Sequence, residues 1–257
     1  MTTIDPKAID RHQRYVEERA RASYIASIAQ PEASFDVSVA AQVQTPEDKD
    51  YAILNKRLQW QMDHQLRGLT YKPIDLATAK LMVFTDGSFA NNKDLSSQLG
   101  FVIALVNETN HKEKQFEISG NIVHWSSTKC KRVTRSVLAS EIYGMANGFD
   151  IGISLAMTMK IITERLNLPP IPLIVCTDSY SLRMPSQARY DEGKRLMIDI
   201  MALRQSYEKR EITDIRWING ADNPADAMTK ASPNRALERF IDTNSLTIRV
   251  EGYVQRS

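Results

Sequence analysis

Four carboxylates in this 257-residue chain fall where chemistry could use them. Asp86 ends the apolar run Leu81-Met82-Val83-Phe84 in Thr85-Asp86-Gly87-Ser88. Asp178 repeats that grammar in Leu173-Ile174-Val175-Cys176-Thr177-Asp178-Ser179. Glu141 lies in Leu138-Ala139-Ser140-Glu141-Ile142-Tyr143-Gly144, a stretch with little other charge. Asp226 lies in Asn223-Pro224-Ala225-Asp226-Ala227-Met228-Thr229-Lys230, with Asp222 as a competing acid just upstream. Singly, each has a plain explanation: Asp-Gly makes turns, an aspartate after a strand caps a helix, and a glutamate suits a helix N-terminus. Brought together, they would raise one another's pKa values unless cations neutralised them. Oxygen ligands without His or Cys select hard ions, Mg²⁺ or Mn²⁺. Two such ions side by side activate water and stabilise a leaving oxygen in a phosphoryl displacement, so the chemistry implied is phosphodiester cleavage.

The remaining composition excludes several alternatives. Cys130 and Cys176 are far apart and form no CxxC pair, which argues against a zinc ribbon or a disulfide scaffold and fits a reducing compartment. His12, His64, His111 and His124 show no HxxxH or HExxH spacing. The net charge of +2 provides no strong whole-chain field, so any nucleic-acid binding must use local patches. No apolar run is long enough to span a membrane, and the N-terminus is polar rather than a signal peptide.

The elements that must position the acids can be read in order. Residues 1 to about 30 predict a charged helix with a thin apolar face of Ile9, Tyr15, Ala20, Tyr24, Ile25 and Ile28, broken at Pro31. A second helical stretch carries Phe35, Val37, Val39, Ala40 and Val43. Thr45-Pro46-Glu47-Asp48 reads as a helix start, with Thr45 as N-cap and Pro46 at the first position. The stripe Tyr51, Leu54, Leu58, Met62, Leu66 follows, with Gly68 as C-cap. After a linker at 71–80 the pattern changes to strands at 81–85, 99–106 and 115–125, an antiparallel meander. A long helix over about 135–167 follows, capped by Thr134 or Ser136 and ended by Pro169-Pro170. A strand at 173–177, helices within 180–208, a strand at 212–218 and a short helix at 224–231 complete the order. The fold class is therefore α/β, a sheet with helical crossovers, whose strand ends would carry Asp86 and Asp178.

Thr85-Asp86-Gly87-Ser88, Ala139-Ser140-Glu141-Ile142-Tyr143, Thr177-Asp178-Ser179 and the final Ala225-Asp226 helix together resemble type 1 ribonuclease H, in that family's order and on its elements. His124-Trp125-Ser126-Ser127-Thr128-Lys129 and Asn223-Pro224-Ala225-Asp226-Ala227-Met228-Thr229-Lys230 are similar to the ribonuclease H of Ty1/copia-type retrotransposons. Tyr24-Ile25-Ala26-Ser27-Ile28, Pro31-Glu32-Ala33-Ser34-Phe35-Asp36-Val37 and the helix ending near Gly68-Leu69-Thr70-Tyr71 resemble the segment that closes the reverse transcriptase of such polyproteins. The resemblance implies a mixed five-stranded sheet with helices on both faces over residues 79–235. It also implies a preceding helical segment at 1–75 and a C-terminal tail at 236–257.

By the same resemblance, Asp86 would bridge two Mg²⁺ ions, Glu141 and Asp178 would complete one metal shell, and Asp226 the other. The implied reaction is cleavage of the RNA strand of an RNA–DNA hybrid, leaving a 3′-hydroxyl and a 5′-phosphate. The implied setting is intracellular, in cytoplasm, nucleus or a virus-like particle, beside the rest of a reverse transcriptase polyprotein. Two departures matter. The loop Gly220-Ala221-Asp222-Asn223-Pro224 lacks the histidine that many members carry before the last aspartate, and no Tyr-x-Asp-Asp segment is present for polymerisation.

Substrate contacts are expected from the densest basic run, Lys129, Lys131, Arg132 and Arg135, which precedes the Glu141 helix. Ser88, Asn91, Asn92 and Asn147 are candidates for reading 2′-hydroxyls, and Tyr180 and Arg183 for the backbone. Trp125 is either a stacking platform or core. A relic or connection module that binds nucleic acid without cutting, and a different nuclease such as an integrase or junction resolvase, are the competing readings.

Overall fold

The computed structural model describes residues 1–112, 114–179 and 194–254. Three helices come first: α1 (Arg11–Ile28), α2 (Ser34–Gln42) and α3 (Asp48–Asp63). They share an apolar cluster of Ile4, Tyr15, Ala22, Ala26, Ala33, Val37, Ala40, Tyr51, Leu54 and Leu58. The expected α1 face is corrected here: Tyr15 is buried, but Ile9, Tyr24 and Ile28 are exposed, and Ala22 and Ala26 pack inward instead. Small residues fit because α1 lies close against its neighbours. Helix α3 begins two residues later than expected. Glu47, not Thr45, is the N-cap, because Asp50 accepts a bond from the Glu47 amide (2.9 Å) and completes a capping box. The helix ends with His64 as its C-cap, so Gly68 lies beyond it.

The sheet follows as β1 (Lys80–Ser88), β2 (Gln98–Lys112), β3 (Gln115–Lys129), β4 (Leu173–Thr177), β5 (Asp214–Ile218) and β6 (Ser245–Tyr253). The helices between and after these strands are α4 (Val137–Arg165), α5 (Lys194–Glu208) and α6 (Ala236–Thr243). Strands β1–β3 form the predicted meander, and β4 pairs in parallel with both β1 and β5. The architecture is the expected α/β one, with a correction in strand number. Strand β6 pairs antiparallel with both β3 and β5, so six strands close in the order β1-β2-β3-β6-β5-β4. Within the segment 236–257, expected to form a tail, residues 236–253 thus supply a helix and a sheet strand. The reason is visible in Ser245-Leu246-Thr247-Ile248-Arg249-Val250, where Leu246, Ile248 and Val250 are buried at a period of two.

Strand alternation sorts the core into two sides. Met82, Phe84, Ile174, Cys176, Leu246 and Ile248 pack with Leu237 and Phe240 of α6 and with Ala225 and Met228 of a 3-10 turn at Pro224–Met228. Leu81, Val83, Leu173 and Val175 face the other way, towards Met145 and Phe149 of α4 and Leu203 and Tyr207 of α5. Helix α4 lies close to β1 because Gly144, Gly148 and Gly152 form a row at its contact. A Cβ at Gly144 would lie 2.7 Å from the Asp86 carbonyl oxygen, and one at Gly148 would lie 2.8 Å from Thr85 Cγ2. Both cysteines are free and buried. Among the described residues, no helix is long and apolar enough to cross a membrane.

Candidate active site

Strands β1 and β4 run parallel in a register that pairs Phe84 with Cys176 and Thr85 with Thr177. The next position is Asp86 on β1 and Asp178 just past the end of β4. Both continue the row of side chains that faces α6, so two carboxylates stand side by side where the parallel strands end. Glu141 arrives from α4. Ser136 caps that helix, accepting from the Ala139 amide (3.1 Å), and Glu141 follows in the next turn. Ser140, one residue earlier, is held by its hydroxyl on the Gly87 carbonyl (3.2 Å), so the helix is fixed against the end of β1. The result is a group in which one oxygen from each of Asp86, Glu141 and Asp178 lies within 4.8 Å of the others.

This group suits a metal. Glu141 Oε2 is wholly buried and has no hydrogen-bond partner, an arrangement that leaves a lone pair for a ligand. The donors are all carboxylate oxygens, the set that hard divalent ions take. Burial raises the Asp86 pKa to about 6, with Asp178 and Asp226 adding to the rise and Lys230 opposing it. Burial, then Asp86 and Asp178, pushes Glu141 to about 9. The Asp178 carboxyl is raised as well, chiefly by burial. Three acids that resist ionising beside one another are what a bound cation would relieve.

Asp226 does not join the group of three. It sits in the 3-10 turn, where Asn223 accepts from the Ala225 amide (3.1 Å) as cap. Its Oδ2 accepts from the Asn234 amide (2.7 Å), and its Oδ1 is bonded by Lys230 Nζ. The same ammonium lies 3.8 Å from Asp86 Oδ2, so Lys230 bridges the two acids. Burial works against the Lys230 charge, but Asp86 and Asp226 outweigh it and raise the pKa. Thr229 donates to Asp86 Oδ2, and Asn223 donates to Asp178 Oδ1 (3.1 Å). Thr229, Lys230, Asn223 and Asn234 were missed as site residues in the sequence. Lys230 had a signal, since it follows Asp226 at a spacing of four.

The expected contact residues divide. Lys129, Lys131, Arg132 and Asn147 line one cleft of about 490 Å³ between β3 and α4. Two of these cations are already engaged: Lys129 pairs with Asp94, and Arg132 pairs with Asp199 and stacks 4.9 Å over Tyr143. Arg135 is exposed and does not line the cleft. Ser88 ends β1, its Oγ buried and without a partner. Asn91 donates to the Thr229 carbonyl (3.0 Å) and so ties its loop to the turn that carries Asp226, while Asn92 donates to Ser96 and Gln98 and holds its own loop. Trp125 donates to the Ala26 carbonyl (3.0 Å) and packs against the core, the second of its two readings. Tyr180 and Arg183 lie outside the described residues.

No protein-family model and no curated protein matches the chain. Among solved structures it is similar to the ribonuclease H1 called LC11, isolated from compost by a metagenomic approach. That pair shares 18% identity over 62% of this chain and 98% of the other, with a TM-score of 0.39. It is similar to ribonuclease H1 of Halobacterium salinarum at 16% identity, 62% and 98% coverage and a TM-score of 0.38. It is also similar to the protease-reverse transcriptase of prototype foamy virus at 14% identity, over 67% of this chain and 24% of that one, with a TM-score of 0.32.

Proposed function

We propose that this chain is a divalent-metal-dependent nuclease that cuts the RNA strand of RNA–DNA hybrids, as part of a retrotransposon polyprotein of the Ty1/copia type. The observation that carries it is the convergence of Asp86, Glu141 and Asp178 within 4.8 Å, with one glutamate oxygen buried and unpartnered. The choice of hybrid over other phosphodiesters rests on the sequence resemblance in the segments around these acids.

Asp86, Glu141 and Asp178 would hold one Mg²⁺ or Mn²⁺, and Asp86 with Asp226 a second once Lys230 gives way. Bound there, such ions supply an acidified water and neutralise charge on the leaving oxygen. The chain's own part is positioning. The β1–β4 register sets Asp86 beside Asp178, and Asn223 orients the Asp178 carboxylate. Thr229 fixes one oxygen of Asp86, and the buried surroundings of Glu141 keep bulk water from its Oε2. Lys129, Lys131, Arg132 and Arg135, with Asn147, would contact the nucleic acid, whereas the buried Oγ of Ser88 is out of its reach. Residues 1–75 would be the end of a reverse transcriptase and 79–235 the nuclease proper, with β6 completing its sheet and α6 packing against it.

The test is a substrate panel. Labelled RNA–DNA hybrid, duplex DNA and duplex RNA are each incubated with the full chain and Mg²⁺. The expected result is cutting of the RNA strand in the hybrid alone, abolished by EDTA. Cutting of duplex DNA but not hybrid would replace this reading with that of an integrase or resolvase-type nuclease. Hybrid binding in EDTA with no cutting in Mg²⁺ would make the chain a binding module.

A further inference from the structure

Asp222 competes with Asp226 in the sequence, and the nuclease reading leaves it without a role. It is buried, and its carboxylate is held by Arg249 of β6. The Arg249 amide donates to Asp222 Oδ2 (3.0 Å), its Nε to the same oxygen (2.8 Å) and its Nη2 to Oδ1 (3.1 Å). Nη2 also reaches Asn219 Oδ1 (3.1 Å), and the Asn219 amide donates back to the Arg249 carbonyl (3.0 Å). One residue of β6 therefore grips both ends of the loop 219–222. An exposed ion pair contributes little, but this one is forked, has a backbone donor, and leaves the Asp222 side chain only 9% exposed, which fixes orientation.

The inner side of that loop touches the metal site. A Cβ at Gly220 would lie 2.9 Å from Asp178 Oδ2, so the loop backbone abuts the carboxylate. Asn223 donates to Asp178 Oδ1 (3.1 Å) and to the Thr85 carbonyl (3.0 Å). Asn234 bonds the Gly220 carbonyl (2.6 Å) and the Asn223 carbonyl (3.0 Å) while its amide holds Asp226. Movement of the loop would thus be felt at Asp178 first and at Asp226 through Asn234.

We propose that Arg249 is a positioning residue of the metal site. By clamping Asp222 and Asn219, it sets where Gly220 and Asn223 meet Asp178, and so fixes that ligand's orientation. The C-terminal strand is then part of the catalytic apparatus as well as of the sheet. This rests on the metal-nuclease reading.

The test measures Mn²⁺ affinity by calorimetry and hybrid cleavage in Mg²⁺ for the full chain, Arg249→Ala, Arg249→Lys and Asp222→Asn, with circular dichroism confirming the fold. Arg249→Ala is expected to weaken Mn²⁺ binding about 10- to 100-fold, the range for losing a group that orients ligands. It should lower kcat by a similar factor with KM for hybrid nearly unchanged. Arg249→Lys, which keeps one donor, recovers part of the loss. Asp222→Asn, nearly isosteric, is expected to move in the same direction and stands in if Arg249→Ala does not fold. Wild-type Mn²⁺ affinity in a folded Arg249→Ala or Asp222→Asn chain overturns the proposal, as does a change confined to KM. If the wild type binds Mn²⁺ and cuts no hybrid, the nuclease reading fails, while the affinities still decide the role of Arg249.

Discussion

Asp86, Glu141 and Asp178 are held where none of them ionises easily, and that gives the metal-free protein a pH signature. The folded pKa of Asp86 is raised to about 6 from 3.8, and that of Glu141 to about 9 from 4.5. The folded chain therefore keeps protons that the unfolded chain has released. The stability this contributes is complete below about pH 4, and is lost as pH rises through about 6 and then about 9. In EDTA, the Tm is expected to fall between those limits, and Glu141→Gln to flatten the upper part of the fall. Mg²⁺ should restore Tm more at the alkaline end, because binding releases protons. A Tm in EDTA that is flat or rises over this range contradicts the account. Lys230 makes a related prediction. Lys230→Met should lower Tm in EDTA, where the ammonium is the cation between Asp86 and Asp226, and lower it less in Mg²⁺; an equal loss in both would show that the lysine acts only through packing. Asp86, Asp178 and Glu141, which the fold brings together, could be singled out because the two aspartates follow apolar strand runs and the glutamate sits near a helix start in a stretch with little other charge. Lys230 is marked only by its spacing of four from Asp226, and Asn234 not at all, because their roles depend on how one turn folds back on itself.

At the scale of elements, the contact of α4 with β1 sets the site. Three glycines in one helix are costly, about 1 kcal/mol each relative to alanine. Their spacing of four places them on one face, and that face meets Val83, Thr85 and Asp86. Gly144→Ala should therefore destabilise despite its better helix propensity, by about 1–3 kcal/mol in urea denaturation, because the added methyl meets backbone that cannot yield. A stabilised variant would mean that α4 does not lie this close. The row Gly144, Gly148, Gly152 is readable in the sequence as a spacing of four. Strand β6 was likewise readable in its alternation. What the sequence could not supply was its pairing with both β3 and β5, a long-range choice of partners. The same holds for Arg216 on β5, which is buried against Glu108 of β2 (2.9 Å) and Asp214 (2.9 Å). Arg216→Ala would leave the buried Glu108 with Lys80 alone, and a loss of about 3–5 kcal/mol is expected in the same assay. A loss under about 1 kcal/mol would show that the pair is solvated.

For the molecule as a whole, the N-terminal segment is tied to the sheet and to α6. Trp125 bonds Ala26, Gln98 bonds Ser38 (2.9 Å), and Arg67 joins Glu32 to Asp242 of α6. The sequence showed two kinds of pattern, helical before residue 71 and strand-rich after 80, but not these ties, which join side chains far apart in the chain. The central proposal is that the acid cluster is a metal nuclease centre, and its most direct test is cleavage of a labelled RNA–DNA hybrid in Mg²⁺ by the full chain and by Asp86→Asn. The substitution keeps the shape and removes one charge from the group. The account predicts that the wild type cuts the RNA strand and that Asp86→Asn, still folded, loses more of that activity than the about 10- to 100-fold that removing a group which only orients a ligand costs. Equal cutting by the two proteins, or none by the wild type, would contradict it.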